Sequence, residues 1–191
     1  MEKIVNWLKE NLSDERFRHS LSTAKTAKKL AEQCGVNEEK AYLAGLLHDA
    51  AKEYPFEEML KIIKENNLDV DEEEIKSKKV LHAPLSAYVA KTVFDINDEE
   101  ILAAIRFHTI GKIGMNDFEK IIFLADKIEP ETRTEDCFEK LRQELKATGS
   151  LDKTLLLCSK MTIKSLLKRD LPINYQTIEL YNHLLKESNK L

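Results

Sequence analysis

Five histidines stand in the 191-residue chain, at positions 19, 48, 82, 108 and 183, and one of them is followed at once by an acid, as His48-Asp49. Imidazole nitrogens and carboxylate oxygens are the donors that first-row divalent metals take inside helical bundles, where ligands converge from several helices. His19 to His48 is 29 residues, His48 to His82 is 34, His82 to His108 is 26 and His108 to Asp126 is 18, so each ligand would come from a different helix. Adjacent helical residues point about 100° apart, so His48 and Asp49 can share a target only at a helix surface or end. Leu46 and Leu47 before the pair, with Ala50 and Ala51 after it, supply a dry wall. Taken singly, each residue is better read as a hydrogen-bonded structural histidine, a capping aspartate or a solvated charge. Their combination favours a metal centre. His183, inside the last expected helix, is read as structural or exposed.

Basic side chains close to these positions would let such a centre take an anionic ligand. Lys52, four residues after His48, is the first candidate, with a plain surface lysine equally open by spacing. Arg16 lies one turn before His19 and either joins the site or makes a surface ion pair. The stretch Thr109-Ile110-Gly111-Lys112-Ile113-Gly114-Met115 directly follows His108, and its glycines would let backbone amides approach a phosphate. Cys34, Cys137 and Cys158 are widely spaced without a CxxC pair, so neither a disulfide framework nor a thiolate zinc site is expected; they read as small buried apolar residues.

The elements that must position these residues read as helices throughout. Gly and Pro together number 9 of 191 residues, too few turn formers for an all-β sandwich or barrel. Ser13 caps a helix with Phe17, Leu21, Ala24, Ala27, Ala31 and Cys34 inward, ending at Gly35. Asn37 starts the helix that delivers His48-Asp49, and Pro55 begins the next at a first-turn position. Asp69 to Glu74 reads as a solvated acidic loop with a short helix start; His82-Ala83-Pro84 leads a helix through Val93. Asp98 caps the helix ending at His108, and Asn116 with Glu119 forms a capping box for the one delivering Asp126. Helices from Thr134 to Gly149, from Ser150 to Arg169, and after Pro172 complete an all-α fold, read as a single domain over 1–191 with its core at about 14–130.

These residues carry a family resemblance. His19, His48-Asp49 and Asp126 resemble the ligand pattern of the HD-domain metal-dependent phosphohydrolases, and more narrowly the chain is similar to the YqeK-type hydrolases of bacteria, which cleave diadenosine tetraphosphate symmetrically into two ADP. The matching stretches are Arg16 to Leu21, Ala44 to Lys52, Leu81 to Pro84, Ile105 to Thr109 and Leu124 to Pro130, with Thr177-Ile178-Glu179 also fitting. The resemblance implies an HD-domain helical bundle in which His19, His48, Asp49 and Asp126 hold one metal. His82 and His108 add a second, Asp49 bridges the two, and a metal-activated water does the hydrolysis. It favours iron, with manganese or another first-row ion as the alternative, and casts Asp49 and Lys52 as catalytic. Arg16, Lys52, Thr109, Gly111, Lys112 and Arg133 become substrate contacts. Where relatives show a second Thr and an Arg, this chain has Ile110 and Lys112, and its Arg133 stands one residue further from the Glu-Pro pair.

Other nucleotides (nucleoside phosphates, alarmones, cyclic nucleotides) and a non-catalytic nucleotide-sensing module remain competing readings. A di-iron carboxylate bundle does not, since no histidine has Glu three residues before it. A net charge of −4 argues against a nucleic-acid-coating surface. The absence of a long apolar run and of a signal-like N-terminus gives an expectation of a cytoplasmic protein away from membranes. A nucleotide is the expected small-molecule partner, an ADP-like or GDP-like product is expected to co-purify, and a homodimer is left open.

Overall fold

Short polar side chains start the helices as their types require. Ser13 accepts from the Arg16 amide, Asn37 from Lys40, Asp98 from Glu100 and Ile101, and Ser150 from Lys153. Asn116 and Glu119 form a reciprocal capping box. The computed structural model describes residues 1–188, and these form ten α-helices and one 3-10 turn, with no strand among the described residues. The helices are α1 (Glu2–Asn11), α2 (Asp14–Cys34), α3 (Glu38–Leu47), α4 (Phe56–Glu65), α5 (Lys78–Phe94), α6 (Glu99–Phe107), α7 (Asp117–Ile128), α8 (Asp136–Thr148), α9 (Leu151–Lys168) and α10 (Tyr175–Ser188).

Four helices, α2, α3, α6 and α7, pack on one another at the centre, and α5 lies against α6 and α3. Close approach of α2 and α3 is set by small residues. Ala24, Ala27 and Ala31 are buried on α2, and a Cβ built on Gly45 of α3 would lie 2.9 Å from the Ala24 Cα. Leu46, Leu47, Leu81, Ile105, Ile121, Ile122 and Leu124 are fully buried around this contact. Each such side chain contributes roughly 1.5–3 kcal/mol by leaving water. This framework is what lets five helices aim polar groups at one point.

Several boundaries differ from the sequence reading. Helix α3 ends at Leu47, so His48 to Glu53 form a turn in which the Lys52 amide donates to the Asp49 carbonyl. Pro55 is the residue before α4 rather than its first turn. Helix α5 starts at Lys78, four residues before His82, and encloses Pro84. Cys34 and Cys137 are exposed, and only Cys158 is buried, where desolvation pushes its thiol up to about 11. Phe17 and Leu21 are half-buried, and on α10 Ile178 and Leu185 are exposed while Leu180 and Leu184 are buried. The acidic run is not wholly solvated. Glu74 is buried and takes both Arg106 guanidinium nitrogens, at 2.7 and 2.6 Å. His183 is half-buried on α10, as a structural residue would be.

Candidate metal centre

His19 comes from α2, His48 and Asp49 from the end of α3, His82 from α5, His108 from the end of α6 and Asp126 from α7, and all six are buried. Their donor atoms form one continuous cluster. On one side, His19 Nε2 is 3.0 Å from Asp126 Oδ1, 3.2 Å from His48 Nε2 and 3.8 Å from Asp49 Oδ2. On the other, His82 Nε2 is 3.1 Å from His108 Nε2 and 2.9 Å from Asp49 Oδ1, with His108 3.5 Å from the same oxygen. Asp49 therefore turns one oxygen to each half.

The outward nitrogens fix which atoms face in. His48 Nδ1 donates to the Gly45 carbonyl at 2.6 Å and His108 Nδ1 to the Ile105 carbonyl at 2.7 Å. Carbonyls only accept, so these rings carry hydrogen on Nδ1 and turn Nε2 lone pairs inward. His19 Nδ1 faces Glu129 Oε1 and Thr132 Oγ1, both at 3.1 Å, and Thr132 in turn donates to Glu129 through both its amide and its hydroxyl. Outer partners of this kind orient metal-binding imidazoles.

Asp49 Oδ1 is fully buried without a hydrogen bond. Burial pushes His48 down to about 3 and His82 down to about 4, so both are neutral at pH 7. Burial alone would raise Asp49, but the imidazoles around it hold its carboxyl well below the usual range; Asp126 is likewise held down, by Lys127, His19 and Arg133. For His19, burial is outweighed by Asp126 and Glu129, which raise it. Converging imidazoles and ionised carboxylates without thiolate are a donor set for divalent first-row cations. The residues therefore fit a metal centre, in which the donor atoms of His19, His48 and Asp126, and those of His48, Asp49 and His108, lie within 4.8 Å of one another.

Four cations stand around the two carboxylates, each about a quarter exposed. Arg16 Nη1 is 2.7 Å from Asp49 Oδ2 and Lys52 Nζ is 3.4 Å from Asp49 Oδ1. Lys127 Nζ is 2.6 Å from Asp126 Oδ2, and Arg133 grips Asp126 through Oδ1 at 2.6 Å and through the main-chain carbonyl at 2.8 Å. Burial lowers the Lys52 ammonium, against the pull of Asp49 and Asp126. Lys127, Glu129 and Thr132 were given no role by the sequence reading, and the Asp-Lys and Glu-Pro dipeptides around the last ligand were the available signals. Thr109 Oγ1 is buried beside His108 without a partner. Lys112 is not gathered into this ring, for its ammonium is 2.7 Å from Glu119 and 4.6 Å from the Phe107 ring centroid. Gly111, at φ 69°, owes its small size to Leu180, whose side chain fills the space a Cβ would need.

A buried histidine–aspartate centre held by converging helices defines a class, the helical metal-dependent hydrolases. The HD domain family matches residues 16–131, and the chain belongs to that family. It is 39% identical to the symmetrical bis(5'-nucleosyl)-tetraphosphatase of Staphylococcus aureus, over 96% of this chain and 93% of that one. Identity to the symmetrical bis(5'-nucleosyl)-tetraphosphatase of Bacillus subtilis is 34%, over 98% of both chains. A crystal structure described as a predicted HD superfamily hydrolase involved in NAD metabolism, from Clostridium acetobutylicum, superposes with a TM-score of 0.92 at 36% identity, covering 97% of both chains.

Proposed function

We propose that this chain is an enzyme that hydrolyses diadenosine tetraphosphate symmetrically to two ADP at a binuclear centre. The observation that carries the reading is Asp49, whose Oδ2 faces His19 and His48 and whose Oδ1 faces His82 and His108. Its match to symmetrical tetraphosphatases over nearly the whole chain supports the substrate. His19, His48, Asp49 and Asp126 would hold one ion, and Asp49, His82 and His108 the other. Iron is the ion favoured by resemblance, with manganese as the alternative. When bound, the ions supply Lewis acidity toward phosphoryl oxygens and a water of lowered pKa.

The chain's own residues do the rest. Arg16, Lys52, Lys127 and Arg133 form a partly exposed cationic rim that receives the tetraphosphate, whose negative charge no apolar wall would accept. Lys52, whose ammonium lies 3.0 Å from the His82 imidazole, would contact phosphoryl oxygens of the bound tetraphosphate. Thr109 offers its unpaired hydroxyl beside His108. Glu129 and Thr132 hold His19 in place. Attack of water on an inner phosphorus, with loss of ADP from the other half, consumes one water and leaves two identical products. One buried cluster running from Ile4 to Leu184 supports reading the chain as a single catalytic unit. Among the described residues no helix is long and apolar enough to cross a membrane.

The test is product analysis after anaerobic loading with Fe²⁺ or Mn²⁺. ADP as the sole nucleotide product from diadenosine tetraphosphate supports the proposal. AMP with ATP, or no turnover by the metal-loaded protein, overturns it.

A further inference from the structure

A concavity lies on the flank of the bundle, a groove of about 1050 Å³ between α2 and α8. Along α2 its lining residues recur at three- and four-residue steps from Arg18 to Cys34. Sixteen steps of 1.5 Å make one helix face roughly 24 Å long. The floor is apolar, made by Leu21, Leu30, Ile128, Leu145 and Leu151. Its walls are basic. Lys25 and Lys29, four apart on α2, face Arg142 and Lys146, four apart on α8.

The charge is one-sided for a chain with net −4. Glu131 is the acidic residue of the lining, and it is paired with Arg18 at 3.4 Å. Arg142 is anchored by the Ile128 and Arg133 carbonyls, at 3.3 and 3.0 Å, and by Glu139. Lys25 and Lys29 are exposed and carry no ion pair among the described residues. A nucleoside polyphosphate wants cations gathered at one end, under its phosphates. Here they run in two rows beside an apolar floor, which is the complement of a helix with one apolar face and acidic flanks.

We propose that this groove is a docking site for an acidic amphipathic helix, about four turns long, of a partner protein. The inference rests on the α2–α8 face and not on the metal centre, so it stands or falls independently of the hydrolase reading.

The probe is a fluorescein-labelled 16-residue peptide with Leu at i, i+3, i+4 and i+7 and Glu on the flanks, titrated with the full chain by anisotropy. The expected result is saturable 1:1 binding that weakens at least tenfold in the Lys25→Glu, Lys29→Glu double variant and falls with added salt. Both positions are exposed, so circular dichroism and metal content of the variant should match the parent. Equal binding by the double variant, or equal binding of a scrambled peptide of the same composition, overturns the proposal. So does displacement of the peptide by tripolyphosphate at stoichiometric concentration, which would make the groove an anion site. Self-association of the chain that the double variant abolishes would assign the face to a second copy instead.

Discussion

His82 Nε2 stands 2.9 Å from Asp49 Oδ1, a buried carboxylate oxygen that makes no hydrogen bond. Oδ2 of the same aspartate faces His19 and His48, at 3.8 and 3.6 Å. One side chain thus joins two clusters of donors, and its removal should undo both. Asp49→Ala is expected to bring turnover below detection and to lower metal content, while far-ultraviolet circular dichroism stays near that of the parent. Near-full activity with near-full metal content would remove Asp49 from the bridging role.

In the proposed binuclear centre His82 and His108 would serve the second ion only. The double variant His82→Ala, His108→Ala is expected to bind one ion per chain in place of two, read by elemental analysis of loaded protein. Unchanged stoichiometry would return both histidines to a structural role.

Glu129 acts through His19, not on the substrate. It is fully buried, and although burial would raise it, the bonds from His19, Ser22 and Thr132 hold it down to about 2, so it is a carboxylate at pH 7. Glu129→Ala should weaken metal affinity by roughly 10–100-fold, as outer-partner losses do. Chelator competition reads that change, and the KM for substrate measured at saturating metal should stay close to the parent value. A raised KM with unaltered metal affinity would place Glu129 against the substrate.

The Glu74–Arg106 pair fastens the acidic loop to α6, two residues before His108. Arg106→Ala leaves a buried carboxylate uncompensated, and since Arg106 is itself partly exposed the loss should be about 2 kcal/mol, below the range for fully buried pairs. Denaturant unfolding measures it. A change within about 0.5 kcal/mol, ordinary for a surface substitution, would mean the loop's attachment contributes little.

Ions that bind the native chain and not the unfolded one must stabilise it. Chelated protein given manganese at about 100 times its dissociation constant should gain roughly 2.7 kcal/mol, seen as a rise in Tm. That rise should be lost in Asp49→Ala. A Tm indifferent to metal would contradict a site built from native donors on five helices.

The ligands were legible because metal chemistry restricts residue types, and because His19, His48, Asp49, His82, His108 and Asp126 each carry a recognisable local flank. Caps at Ser13, Asn37, Asp98, Asn116 and Ser150 were legible for a similar reason, since few side chains can take a helix's free amides. What stayed hidden depends on contacts between distant segments. Glu74 looks like its acidic neighbours until Arg106, 32 residues on, reaches it. Glu129 and Thr132 act on His19 across more than a hundred residues. Gly111 suggested a phosphate loop, yet its space is claimed by Leu180 from the last helix. Cys34 sits on an α2 face that the helical period assigned to the core, and in the fold that face borders an open groove.

The most direct test of the binuclear account is elemental analysis of the full-length protein after anaerobic loading with iron or manganese and removal of excess metal. The account predicts two ions per chain. One ion per chain, with His82→Ala, His108→Ala leaving that number unchanged, would contradict it.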